Sequence, residues 1–419
     1  MAGFTASATA AARAALPSAI EGARAMRFSS RVEQRSSGPG TGAWSIQQEA
    51  SLLRDTGHDV ISLTIGDPDQ PTPAPVVEAT VEALRAGRTG YAPTIGFPQL
   101  RAAIAARAAQ RTGQPCGAEN VVVTPGAQGG LYCALQSIAG PGDEVIVPEP
   151  LYATYGGVVA ASGAELVLVP LPAARGFHPD LDSIAGAVTP RTRAVWINTP
   201  HNPTGAVFTR DEVAGIAEIC RRHDLWLVSD EVYEDLAFTR PHVSPWSLPG
   251  MGERTIVVSS LSKSHAMPGF RLGWVIGPPA LSRHLFGLLL SMTYGNPPFI
   301  QLGALAAFGG ELPQVAALRE DYRRRAGLMA GILAGAPRCR PIPPEGGMFV
   351  LLDVRPTGMA AQQFAAGLLE SEDVAVLPCD AFGPSAAGHL RISLTEPDAR
   401  LAEAGHRIVR YARKIGGGE

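Results

Sequence analysis

The run Ser259-Ser260-Leu261-Ser262-Lys263 puts a lysine in a short loop directly after a strand-like stretch, with Arg271 eight residues further on. Burial and neighbouring cations can hold such an amine partly neutral, and a neutral amine forms an imine with an aldehyde. By itself the signal is weak, because most lysines are solvated surface charges. Asp230 closes the stretch that starts at Leu225 and is followed by Glu231, Val232 and Tyr233, so an acid and a phenol leave one strand end together. A carboxylate beside a pyridine nitrogen keeps the ring protonated and electron-withdrawing, and a phenol beside a ring oxygen tunes an imine. These are the needs of pyridoxal chemistry. The plainer alternative is that Asp230 caps the next helix.

Two further runs follow strand-like stretches. In Asn198-Thr199-Pro200-His201-Asn202-Pro203-Thr204-Gly205 the two prolines fix the backbone around Asn202, which can aim its amide at a ligand; an ordinary turn has the same composition. Thr124-Pro125-Gly126-Ala127-Gln128 leads from a strand into a helix, whose free N–H groups and positive dipole end suit a phosphate, although a lone glycine turn is low in specificity.

The elements that must position these residues alternate between β-branched runs and helical patterns from about residue 119 to 300, the pattern of βαβ units around a buried, mostly parallel sheet. Seven strands are predicted: Val121 to Thr124, Glu144 to Val147, Glu165 to Val169, Ala194 to Asn198, Leu225 to Ser229, Thr255 to Ser260 and Gly273 to Ile276. Helices are predicted over Gln128 to Ser137, over Asp211 to Arg222 with acids first and bases last, and over Leu312 to Leu333. Beyond Gly346-Gly347 the pattern changes to an α+β lobe: strand Met348 to Val354, helix Ala360 to Leu369, strands Val374 to Leu377 and Leu390 to Leu394, and a terminal helix from Pro397. The expected division is a disordered, dispensable extension or upstream-start product over 1–25, an arm over 26–60 packing on the small lobe, a large domain over 61–305 and a small domain over 306–419. In an open α/β sheet, ligands bind at the carboxyl ends of the strands, where the four runs above all fall.

Composition bounds the partners. With 46% hydrophobic and 17% charged residues in 419, the chain reads as a compact enzyme with a large core. A formal charge of -3 offers no field for phosphodiester backbones, so no nucleic-acid partner is expected. Five scattered cysteines show no metal-ligand spacing and no even count for a disulfide framework, which points to a reducing cytoplasm and no metal. No stretch reaches the about 18 apolar residues of a membrane span.

In combination, S-x-x-K with Arg eight residues on, N-P-x-G and D-E-x-Y resemble the fold-type I, class I/II aminotransferase family, over about residues 26 to 415. The resemblance implies the pyridoxal-phosphate transferase fold, an α/β architecture with a seven-stranded sheet sandwiched by helices and a smaller α+β C-terminal domain. It implies pyridoxal 5'-phosphate as cofactor, Lys263 as its Schiff-base lysine, Asp230 at the pyridine nitrogen, and Tyr233 and Asn202 at the ring oxygen. Ala127, Gln128, Ser260 and Arg271 would hold the phosphate. Tyr91 would reach the phosphate of a neighbouring subunit, making a homodimer with shared sites. Arg391 would clamp the substrate α-carboxylate, with Gly66 and Asn202 beside it; the alternative for Arg391 is a surface ion pair. Two departures stand out: Tyr152 occupies a place where many members stack a tryptophan on the ring, and Ala127-Gln128 replaces the commoner hydroxyl and lysine.

Longer stretches, among them His223 to Tyr233, Leu261 to Met267, Ala381 to His389, and, away from the site, His242 to Pro245 and Ser247 to Met251, are similar to the arginine–pyruvate transaminases, while Pro268 and Phe270 depart from the Thr and Trp expected there. That subgroup implies ping-pong transfer of an amino group from an L-amino acid, arginine favoured, to pyruvate or another 2-oxo acid. Aspartate, alanine or aromatic donors, or a lyase or oxidase reaction on the same scaffold, remain open, because fold and cofactor do not determine the outcome. A ligand-sensing regulator would need an added DNA-binding domain, which the sequence lacks. An arginine side chain calls for a distal acid; Asp69 and Glu49 are conceivable, though both read more simply as surface acids.

Overall fold

The structure, a computed structural model, describes residues 45–310 and 312–416, so the expectations for residues 1–25 and for 26–44 of the arm fall outside the described residues. The first elements are helix Ser45–Asp55 and a two-residue strand, β1 (Ile61–Ser62). All seven expected strands of the central sheet follow: β2 (Val121–Pro125), β3 (Glu144–Glu149), β4 (Glu165–Pro170), β5 (Thr192–Asn198), β6 (Trp226–Asp230), β7 (Thr255–Ser260) and β8 (Leu272–Ile276). Their order is β2-β8-β7-β6-β5-β3-β4, parallel throughout except that β8 runs against both its neighbours. The expected α/β architecture with a mostly parallel sheet is what the chain adopts.

Continuous apolar runs explain the arrangement. β3 and β7 are buried at every position, so both faces of the sheet must be covered by helices. Helix Arg210–Arg222 shows how one is set: the Thr209 hydroxyl accepts from the Glu212 N–H at 3.2 Å and the Glu212 carboxylate accepts from the Thr209 N–H at 2.7 Å. This reciprocal cap, with Arg221 and Arg222 in the last turn, fixes the helix ends and turns Val213, Ile216 and Cys220 inward. Helix Gly126–Ile138 starts as β2 ends, and the first residues of β8 pass close beside it. A Cβ on Gly273 would stand 2.5 Å from the Ala127 nitrogen and 2.8 Å from the Ser259 carbonyl, so only glycine permits that approach.

Residues 340–393 build a second sheet from β9 (Arg340–Ile342), β10 (Phe349–Asp353), β12 (Leu377–Pro378) and β13 (His389–Ser393), antiparallel in the order β12-β13-β10-β9. The single strand expected over Val374 to Leu377 is divided: β11 (Val374–Ala375) pairs with β1, and β12 joins β13. Its first half finds a partner more than three hundred residues upstream, which local pattern does not reveal. Helices Pro313–Leu333, Ala361–Glu372 and Asp398–Gly416 supply buried residues to the core beside this sheet, and Ile46 and Ala50 of the first helix are buried in the same cluster. Each such full burial of an isoleucine or leucine contributes about 1.5–3 kcal/mol.

Gly273→Ala is expected to lower stability by about 1–3 kcal/mol, the usual range for forced overpacking, because it displaces the backbone at the start of helix Gly126–Ile138. Urea unfolding reads the effect; an unchanged midpoint would contradict the close approach.

Candidate active site

Register brings the polar strand ends to one edge. Asn198 pairs with Asp230 across β5 and β6, and Asp230 pairs with Val258 of β7, so Asn198, Asp230 and Ser260 emerge side by side. There they meet a cavity of about 210 Å³ lined by Lys263, Asp230, Tyr233, Asn202, Ser260, Arg271, Ala127, Gln128, Tyr152, Arg391 and Gly66. Every residue assigned from the sequence to the cofactor or to the substrate α-carboxylate is therefore gathered, except Tyr91. Tyr91 is 88% exposed, its ring 5.2 Å from that of Tyr294, and it does not line the cavity of its own chain.

Asp230 is 5% exposed, and its Oδ2 accepts a hydrogen bond from the Tyr155 hydroxyl at 2.6 Å. Its Oδ1 accepts from the Val232 N–H at 3.2 Å, which braces the turn after β6, but it does not cap the next helix, Glu234–Leu236, whose N-cap is Tyr233. Burial pushes the carboxyl up to about 6, against the two donors, and Glu231 adds to the rise. Tyr233 lies across the cavity with its phenol raised by burial, and the Asn202 amide donates to its hydroxyl at 3.5 Å. The loop between Asn198 and Gly205 is stiffened from within: the Asn198 side chain accepts from the Asn202 N–H at 2.8 Å and donates to the Asp230 carbonyl at 3.0 Å.

Lys263 donates from Nζ to the Gly66 carbonyl. Burial pulls its amine down to about 8, opposed by Asp67 and assisted by Arg391 and Arg271. A Cβ on Gly66 would stand 2.5 Å from the Phe349 ring, so the residue that receives the lysine is glycine for want of space. Arg391 comes from β13, is 2% exposed, and donates to the Asn202 side chain at 2.9 Å and to the Thr64 carbonyl at 2.6 Å. Its guanidinium lies 4.1 Å above the Phe349 ring and 5.1 Å from that of Phe382. Its Nε has no hydrogen-bond partner among the described residues, which leaves a buried donor for an incoming anion. The surface ion-pair alternative for Arg391 does not hold.

Residues 58–408 match the family model described as "Aminotransferase class I and II". The chain belongs to the class I and II aminotransferases. Arginine–pyruvate transaminase AruH of Pseudomonas aeruginosa is 49% identical over 390 residues, spanning 93% of this chain and 99% of that protein. An aspartate/prephenate aminotransferase of Thermus thermophilus is 35% identical over 375 residues, spanning 89% and 95%. Among solved structures, the Thermus thermophilus aspartate aminotransferase with maleate superposes with a TM-score of 0.86 at 34% identity, covering 92% of this chain and 100% of that one.

This aminotransferase therefore depends on pyridoxal phosphate, and the cavity fits it, for its lining combines the Asp230 carboxylate, the Lys263 amine and the Arg271 guanidinium, the last packed against Gly126 at the start of helix Gly126–Ile138. Three contributors were not singled out from the sequence. Tyr155 reads as a core aromatic, and it does stack on Trp196 at 4.0 Å while its hydroxyl serves Asp230. Thr64 acts through its backbone, which carries no sequence signal. Asn198 stood inside a quoted run without a role of its own. Neither conceivable distal acid lines the cavity: Asp69 is held by Arg325 through two bonds of 2.8 Å, and Glu49 is exposed on the first helix.

Because the Asp230 carboxyl titrates near 6 in the folded chain against 3.8 ordinarily, the buried carboxylate costs nothing below about pH 4, and the full cost is present above about pH 7. Cofactor-free Asp230→Asn should therefore gain stability relative to the parent between pH 4 and 8, by on the order of 1–3 kcal/mol. Parallel denaturation at the two pH values checks this; a gap independent of pH would mean that the acid is not desolvated.

Proposed function

We propose that the chain transfers the amino group of an L-amino acid, with arginine the favoured donor, to pyruvate or another 2-oxo acid, in the cytoplasm and as a homodimer. The observation that carries the catalytic reading is the partly neutral amine of Lys263 in one cavity with Asp230 and Arg391. The donor preference rests on the 49% identity to a protein named for that reaction. An exposed tyrosine pair, Tyr91 with Tyr294, supports a partner surface through which Tyr91 completes the neighbouring site. Cysteines that are all free are consistent with a reducing compartment, and among the described residues no helix is long and apolar enough to cross a membrane. The same proposal divides the chain at about residue 305, with Lys263 on the larger part and Arg391 on the smaller.

Bound in the cavity, pyridoxal phosphate supplies an aldehyde that takes up amines and a pyridine ring that withdraws electrons from the substrate α-carbon. Lys263 would hold the aldehyde through Nζ, and its free amine would serve as the base for the α-proton; burial that pulls the amine down to about 8 suits both roles. Asp230 would keep a proton on the ring nitrogen, an ion pair that would offset its desolvation. Tyr233 and Asn202 would donate to the ring oxygen, and Tyr152 would flank the ring. Ser260, Arg271 and the first N–H groups at Ala127 and Gln128 take the phosphate. Arg391, tethered by Thr64 and Asn202, presents its free Nε to the α-carboxylate. One base and one clamp serve donor and acceptor alike, so the two substrates occupy the cavity in turn.

Lys263→Ala should remove the visible absorbance of the covalently held cofactor and lower turnover by about a thousandfold or more, with the fold intact. Arg391→Ala should raise KM for donor and acceptor alike, by about tenfold to a thousandfold, because a charge-assisted bond to both carboxylates is lost. A donor panel with pyruvate settles the preference: rapid conversion with arginine is expected, and inertness to arginine alongside conversion with aspartate or aromatic donors would reject it.

A further inference from the structure

A larger cavity, about 380 Å³, lies on the opposite face of β7. Val257 and Ser259 line it, whereas Ser260 lines the lysine cavity, as the alternation of a strand requires. Much of its wall is apolar, with Ile104, Ala108, Trp246 and Trp274. The acids in the wall are already occupied. Arg107 and Arg111 hold both Glu234 and Asp235, and Glu231 accepts from the Ser244 hydroxyl at 2.8 Å and pairs with His242 Nε2 at 3.2 Å.

The polar atoms left over in this wall are donors. Trp246 Nε1 and Arg107 Nε are buried without a hydrogen-bond partner, on residues that line the cavity. His242, its side chain 9% exposed, also has no partner at Nδ1. Although burial opposes its charge, Glu231 carries the imidazole upward in pKa, which favours a proton on both ring nitrogens. At the exposed part of the wall, Arg210 and Arg319 have neither a hydrogen-bond nor an ion-pair partner among the described residues. A wall with surplus donors and surplus cations over an apolar floor is complementary to a molecule that brings acceptors, negative charge and hydrocarbon.

We propose that this second cavity binds a small organic carboxylate with an apolar body, its carboxylate at Arg210 and Arg319 and its hydrocarbon against Trp246 and Trp274. The site shares no lining residue with the lysine cavity and does not depend on the donor preference proposed above.

The test is calorimetric titration of 3-phenylpropionate into the cofactor-loaded enzyme, its Arg391→Ala variant, the double variant Arg210→Gln with Arg319→Gln, and Ala108→Phe, which fills the floor. Affinity should survive Arg391→Ala within about twofold and fall about tenfold or more in both cavity variants, the scale of a lost charge-assisted contact. Inorganic phosphate, with charge but no hydrocarbon, should bind the parent about tenfold or more weakly than 3-phenylpropionate. The double variant alters exposed side chains and should keep its transamination rate, so it remains informative even if Ala108→Phe fails to fold. Absence of binding to the parent at about 10 mM, loss of binding only in Arg391→Ala, or equal affinity for phosphate would each overturn the proposal.

Discussion

Desolvation of three ionisable groups in one small space is the constraint on which the molecule turns. An amine, a carboxylate and a guanidinium are each expensive to bury, and the cheapest relief would be for the amine and the acid to pair with one another. Such a pair would hold both charges fast and leave neither group free to act. The structure ties each to uncharged partners: Lys263 to the Gly66 carbonyl, Asp230 to the Tyr155 hydroxyl, Arg391 to the Thr64 carbonyl and the Asn202 amide oxygen. The charges stay separate, and burial pulls the lysine amine down and pushes the aspartate carboxyl up.

Neutral partners can be supplied only by backbone held in place, and the sheets hold it. The parallel register of β5, β6 and β7 brings Asn198 level with Asp230, which lets one asparagine brace the Asn202 loop and the acid's own carbonyl. Packing then settles details that hydrogen bonds do not: Phe349 lies under the Arg391 guanidinium and also leaves no room for a side chain at Gly66. One aromatic ring thus packs against both Arg391 and the glycine whose carbonyl accepts from Lys263.

Legibility in the sequence followed locality. The seven central strands were readable because each is a short run rich in apolar residues, buried at every position in β3 and β7 though mostly open at the edge strand β4, and the polar side chains that line the cavity were readable because such residues at strand ends are unusual. What escaped was set by distant pairing or by backbone. β1 and β11 are two residues each, too short for any periodicity, and exist because they find one another. Thr64 contributes a carbonyl, and Tyr155 combines a core ring with a functional hydroxyl, so its type alone could not separate the roles. Tyr91 was readable as a motif, yet its own chain leaves it at the surface.

The position of β13 has a bearing on biogenesis. Arg391 belongs to a strand that ends at Ser393, followed among the described residues by helix Asp398–Gly416, while its anchors Thr64 and Asn202 lie more than 180 residues upstream. A ribosome that has delivered every strand of the central sheet has still not delivered the guanidinium that closes the cavity. A fragment that stops before β13 would therefore hold every strand of the central sheet and still lack one buried wall of the cavity.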